Sequence, residues 1–326
     1  GAAFMILAQS AYGVLQVASR GSFEISALLG AGPGAALREF QSDLQQEWHR
    51  ARGTLGHPNI LAPWLMLLAP AFLAMSTVIR DRALQLVCFT VGAVGLVGVA
   101  FTLSRAAWAV AFVQMCILAA ALTWMGALKA RQTLGIAVVV GLAGVLATAP
   151  FIDTLVERVT RDFVASVDFR AEYNEDALAI FMKSPAIGVG PNNFVHYLPE
   201  YDPTINDFLE EANTVRKLVN IRVIAAVHNM YLLLLAEIGI LGIAAFFVFI
   251  AGALHRGMRA VANTSGPLQM ASLGLTIGIL GVMGVQFTEF SLWVDPVLYT
   301  FALTVALLNN APGIQAAQAA PESVDV

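Results

Sequence analysis

Three side chains carry chemistry of their own: Arg105 and His228, where apolar stretches meet polar chain, and Arg170, within a polar insert. Arg105 follows Thr102-Leu103-Ser104 at the end of an apolar stretch. Its guanidinium is a fixed charge with a planar fork of donors that matches carboxylate or phosphate oxygens. The alternative is an arginine that snorkels to lipid headgroups. Burying its charge costs about 2.5–3.5 kcal/mol at the bilayer centre and less toward the edge. His228 closes a long polar insert just before another apolar run. An unperturbed histidine titrates near pH ~6.5, so it could take a proton from a hydroxyl. It also starts a helix, so it could hold an anion there or cap the helix. Arg170 lies inside the polar insert and by itself reads as a solvated loop arginine, with Asn174 one helical turn on along the same face.

Two carboxylate patterns narrow the chemistry. No Asp-x-Asp pair occurs in the chain, so no metal site is expected, nor any other cofactor. Glu237 is nine residues after His228. At ~100° per residue it falls on the opposite face of a continuous helix, ~13 Å deeper. A hydrogen bond to a neighbouring helix is expected of it, not a dyad with His228.

The chain that must position these residues is 58% hydrophobic and 12% charged, with mean hydropathy +0.73. Soluble domains carry about 25% charge, so the composition is that of an all-α polytopic membrane protein. With about 20 apolar residues per span, eight spans are expected: 1–19, 58–79, 83–103, 106–127, 133–151, 228–254, 268–287 and 291–309. The chain then divides into spans 1–151 with an outward loop at 20–57, a large loop at 152–226, spans 227–309, and a tail at 310–326. That tail, poor in large apolar residues, is expected to be disordered. The chain opens at Gly1-Ala2-Ala3-Phe4 inside an apolar run, without Met or a basic leader, which reads as a fragment lacking earlier helices. Cys88 and Cys116 fall within spans and read as packing residues.

The insert 152–226 holds seven of the 18 basic and twelve of the 22 acidic residues. Within it, Phe169, Tyr173, Ala177, Ile180 and Phe181 mark a helix over about 168–183, with Asp168 as N-cap and Pro185, Gly188 and Gly190 ending it. A weaker pattern covers 204–226. In the first loop Leu37, Phe40, Leu44 and Trp48 outline an amphipathic interfacial helix. Arg80, Arg82, Lys129, Arg131, Arg256 and Arg259 sit in one set of short loops and only Arg105 in the alternating set. The positive-inside rule puts the first set in the cytoplasm and both long loops outside. Gly92, Gly95 and Gly98, and Gly274, Gly278, Gly281 and Gly284, recur at the spacing that lets helices approach closely in lipid.

Four motifs appear in order: Gly53-Thr54-Leu55-Gly56-His57-Pro58-Asn59; Ser104-Arg105; Arg170 with Ser184-Pro185-Ala186-Ile187-Gly188-Val189-Gly190; and His228-Asn229-Met230-Tyr231-Leu232 with Glu237-Ile238-Gly239. Over about residues 50–290 the chain resembles the O-antigen ligase superfamily of bacterial inner-membrane glycosyltransferases, which includes relatives of the O-antigen polymerases. The resemblance implies a GT-C-type architecture and a periplasmic active site. It implies transfer of glycan from undecaprenyl diphosphate to a hydroxyl of lipid A core, a polysaccharide or a protein. Arg105 and Arg170 match donor diphosphate-binding positions and His228 the loop-end histidine. Asn229, Asn174, Asn59, His57 and Arg52 are further substrate-binding candidates. A diphosphate is already a good leaving group, and arginine can stabilise its charge without metal. Polymerase activity with the same donor is the nearest alternative. A flippase or transporter is disfavoured, because no internal repeat is visible. The expected partners are lipid-linked glycan and the bilayer, not nucleic acid.

Overall fold

The computed structural model describes residues 1–19, 50–129, 162–201 and 227–319; at 162–170 and 172 it gives the backbone path. Among the described residues the regular elements are helical: α1 (Ala2–Ala18), α2 (Pro58–Ser76), α3 (Arg82–Phe101), α4 (Arg105–Trp124), α5 (Asp162–Lys183), α6 (Phe194–Tyr197), α7 (Met230–Asn263), α8 (Gly266–Val285) and α9 (Asp295–Ala319). Six of them, α2, α3, α4, α7, α8 and α9, are long and apolar enough to cross a membrane. The protein is therefore a multi-pass helical membrane protein, with six such helices described where eight spans are expected. α1 is apolar but only 17 residues long, short of the ~20 a span needs. Segment 133–151 lies outside the described residues, as do the expected helices at 37–48 and 204–226.

The described helices fall into two compact units. In the first, α1, α2, α3, α4 and most of α8 and α9 pack through small residues. A Cβ on Gly95 of α3 would stand 2.8 Å from the Cβ of Ala69 in α2, and one on Gly278 of α8 would stand 2.2 Å from the carbonyl oxygen of Leu67. Lipid tails are as apolar as leucine, so helices gain from each other mainly by close packing and hydrogen bonds, which is what glycine permits here. Gln114 of α4 ties the bundle together: its buried Nε2 donates to the Met66 carbonyl at 2.9 Å and the Ile277 carbonyl at 3.0 Å. Leu118 and Leu122 close a core with Ala74, Met270, Leu273 and Ile277.

α9 corrects the expected disordered tail as far as Ala319; residues 320–326 lie outside the described residues. It continues to Ala319, well past Asn310. Alanine and glutamine are strong to moderate helix formers, Ala311 is buried, and Gln315 Oε1 accepts a hydrogen bond from the Ser265 amide at 3.0 Å. Those contacts hold a helix that hydrophobic content alone does not announce.

The second unit contains α5, α6, the first part of α7 and the turn 286–293. α5 is helical from Asp162, six residues before the expected start, because Asp-Phe-Val-Ala-Ser-Val contains no helix breaker. Asp168 is thus inside the helix and does not cap it, and Arg170 is beyond its first turn. Tyr173, Ala177 and Ile180 of α5 share a core with Phe194, Leu198, Val227, Leu233 and Ala236.

Candidate active site

In the first unit the backbone between α3 and α4 turns sharply ahead of Arg105. Leu103 holds a left-handed φ of 51°, a conformation that costs an L-residue about 1–2 kcal/mol. The surrounding chain fixes it. The Ala51 amide donates to the Phe101 carbonyl at 2.9 Å. Arg50 donates from Nε to the Thr102 carbonyl at 2.8 Å and from a terminal nitrogen to Asn59 Oδ1 at 2.7 Å. Trp108 Nε1 reaches back to the Ala100 carbonyl at 3.0 Å. Strain retained by such over-determination is characteristic of functional turns. Its product is Arg105 at the first position of α4, after an N-cap, Ser104, that makes no side-chain capping bond among the described residues. Arg105 thus starts a helix, and a helix N-terminus carries positive partial charge.

The loop before α2 joins the same place. Gln16 Oε1 accepts from the Arg52 and Gly53 amides at 3.2 and 3.0 Å, and Gln9 Oε1 from the Thr54 amide at 2.8 Å. α1 thus holds the loop by two buried glutamines. His57 caps α2, its Nδ1 accepting from the Asn59 amide at 3.1 Å, and Pro58 occupies the first helical position, where its missing N–H costs nothing. Arg52, His57, Asn59 and Arg105 are accordingly gathered at one end of this unit, with Asn59 linked through Arg50 to the turn that carries Arg105. Arg50, only 3% exposed, is the residue that sequence reasoning missed. Nothing in its local pattern separates it from the neighbouring His49 and Arg52; only its long-range bonds do.

In the second unit Asn229, and not His228, caps α7: Asn229 Oδ1 accepts from the Tyr231 and Leu232 amides at 3.1 and 3.2 Å. The Met230 amide donates to the carbonyls of Gln286 and Glu289 at 3.0 and 3.1 Å. The first three N–H groups of α7 are therefore occupied, which weighs against the alternative of an anion held by this helix start. The His228 ring is set edge-on to Phe290 with ring centroids 5.6 Å apart. Phe290 and the buried Glu289 belong to the turn that receives the Met230 amide; they too were not singled out from sequence, since the pairing spans more than fifty residues. Asn174 follows Tyr173, whose ring shares a core with Val227, the residue before His228; Arg170 is one turn earlier on α5.

Glu237 is where the helix geometry predicted a partner other than His228. It is 3% exposed, and its Oε1 accepts from the Phe194 amide at 3.3 Å. Two residues on, α7 is interrupted: Gly239 has φ 65° and ψ −170°. The interruption is filled by 185–190. The Val189 and Gly190 amides donate to the Ala236 and Glu237 carbonyls at 3.0 and 2.8 Å. The Ile240 and Leu241 amides donate to the Pro185 and Ala186 carbonyls at 2.9 and 3.1 Å. These four bonds pair backbone groups that the break exposes, as a membrane helix requires. Both partners are glycine where the backbones touch. A Cβ on Gly188 would lie 2.2 Å from the carbonyl carbon of Glu237, and one on Gly239 would lie 2.5 Å from that of Ala186.

The family model described as O-antigen ligase matches residues 89–247. Over that stretch, just under half of the chain, the sequence is similar to the O-antigen ligase superfamily. The matched stretch of this O-antigen ligase relative includes Arg105, Arg170, the 184–190 segment, His228 and Glu237. It supports a glycosyltransferase-like role in O-antigen ligation or polymerisation, with lipid-linked glycan as the substrate class. No curated protein and no solved structure matches the chain.

Proposed function

We propose that this protein transfers glycan from undecaprenyl diphosphate to an acceptor hydroxyl at the periplasmic face of the bacterial inner membrane, on a GT-C-type scaffold. The observation that carries the proposal is that one family match spans Arg105, Arg170 and His228 together. Arg105 and Arg170 take the donor diphosphate, whose two negative charges grow as the glycosidic C–O bond breaks. A fixed guanidinium stabilises that charge without changing protonation state. His228 accepts the proton of the acceptor hydroxyl while that oxygen attacks the anomeric carbon from the face opposite the diphosphate, so the configuration inverts. The products are the glycosylated acceptor and undecaprenyl diphosphate, and no metal enters the sequence. Ligation to a hydroxyl of lipid A core, a polysaccharide or a protein is the first reading, and chain elongation from the same donor the second.

The test is transfer by purified protein in lipid nanodiscs from undecaprenyl-diphosphate glycan, with lipid A core or a second lipid-linked glycan as acceptor. Arg105→Ala and Arg170→Ala are expected to abolish transfer while membrane insertion persists, and EDTA to leave the wild type active. Near-normal turnover of either variant removes that arginine from the site. Loss of activity on chelation with recovery in Mg²⁺ or Mn²⁺ refutes the metal-free step.

A further inference from the structure

The large polar loop carries a surface that does not suit water. On α5 the outward side chains run Ala171, Glu175, Leu178, Met182, at helical spacing. The stripe is polar at Glu175 and apolar beyond it: Leu178 is 46% exposed, Met182 69%, and Ile187 in the following turn 68%. The next exposed apolar residues are on α7 itself, Ile240 at 57% and Leu241 at 65%. The two groups are continuous, because Leu241 donates its amide to Ala186 and Ile240 donates to Pro185.

The depth of this surface follows from α7. Its far end carries His255, Arg256 and Arg259. Counting ~20 residues of hydrocarbon back from Arg256 reaches about residue 236. The break at Gly239 therefore sits inside the loop-side edge of the hydrocarbon, and segment 185–188, hydrogen-bonded into that break, is at the same depth. A polar boundary lies beside it: Lys183 pairs with Glu200 and stands over the rings of Tyr197 and Tyr201, 5.0 and 5.4 Å from their centroids. Lysine and tyrosine are the residues that mark a membrane–water interface.

We propose that the last two turns of α5 and the turn 184–188 are inserted into the loop-side leaflet, with Leu178, Met182 and Ile187 covered by the same acyl chains that cover Ile240 and Leu241. This stretch of the loop is then a membrane-embedded wedge, shallow in the manner of interfacial helices, and Gly188 seats it in the break of α7. This holds whichever acceptor the protein uses.

The experiment uses full-length protein with Cys88→Ala and Cys116→Ala, reconstituted in phosphatidylcholine–phosphatidylglycerol vesicles. Single cysteines replace Met182, Ile187, Leu241 as the lipid reference, and Glu175 as the water reference, each labelled with a nitrobenzoxadiazole dye. Dye at 182 and 187 is expected to be quenched by doxyl-labelled lipid to within about a factor of two of dye at 241 and to resist aqueous iodide, given insertion near the headgroup–acyl boundary. Dye that follows the Glu175 pattern, open to iodide and indifferent to doxyl lipid, overturns the proposal. So does dye shielded from both quenchers, which would mean that protein covers the surface. Should Ile187→Cys fail to fold, Met182→Cys, on the open side of α5 and away from the break, gives the same readout.

Discussion

Gly239→Ala tests whether segment 185–190 seats in the break of α7. The φ of 65° with ψ of −170° lies in a region nearly reserved for glycine and costs alanine about 1–3 kcal/mol. The new methyl would also stand 2.5 Å from the Ala186 carbonyl carbon and oxygen and the Ile187 nitrogen. These are backbone atoms and cannot rotate aside. Moving them lengthens the two nearest bonds, Ile240 to Pro185 and Leu241 to Ala186, each worth about 0.5–1.5 kcal/mol net and more where no water replaces it. The sum is about 2–6 kcal/mol. Gly266→Ala is the control, because Gly266 has a similar φ of 60° but nothing within 4 Å of its Cβ position, so only about 1–2 kcal/mol of strain is expected. At ~2–4 °C per kcal/mol for a domain of this size, thermal unfolding in detergent followed by tryptophan fluorescence should show a loss of roughly 10 °C against roughly 4 °C. Gly188→Ala should match Gly239→Ala, and the double variant should cost less than the sum, since neighbouring substitutions share one contact. Equal losses for Gly239→Ala and Gly266→Ala, or strict additivity of the glycine pair, would refute the seating.

Substitution of His228 separates two roles. If it is the base, His228→Ala and His228→Gln should both lose turnover strongly while donor affinity is nearly kept; wild-type turnover in the glutamine variant would leave a hydrogen-bonding role only. Arg50→Lys keeps the charge but loses the planar fork whose two nitrogens reach the Thr102 carbonyl and Asn59 Oδ1 separately. Leaving that carbonyl unsatisfied costs about 1–3 kcal/mol, so melting temperature and donor affinity should fall together; unchanged values of both would dismiss Arg50 as a support of the Arg105 turn. Cysteines in place of Asp202 and Asp207 should react with a membrane-impermeant maleimide in intact spheroplasts; labelling only after lysis would invert the orientation drawn from the basic short loops.

Much of this protein is legible in its sequence, for reasons of scale. Long apolar stretches bounded by charge must become helices in lipid, because each carries its own backbone hydrogen bonds; the expected spans 58–79, 83–103 and 106–127 meet α2, α3 and α4 within a few residues. Local spacing also reads well: the glycine repeats of α3 and α8 are packing surfaces, and Glu237 points to a partner other than His228. What depends on distant pairings did not read. Arg50 matters through Thr102, fifty-two residues away. The cap of α7 falls to Asn229, with the Met230 amide claimed by residues 286 and 289, so a helix start that looked open to an anion is closed. Gly188 and Gly239 each look like an ordinary turn or packing glycine, and only the folded chain presses one backbone against the other. A sequence states which residues can bend or donate; tertiary structure decides which donors are already spent and where two bends meet.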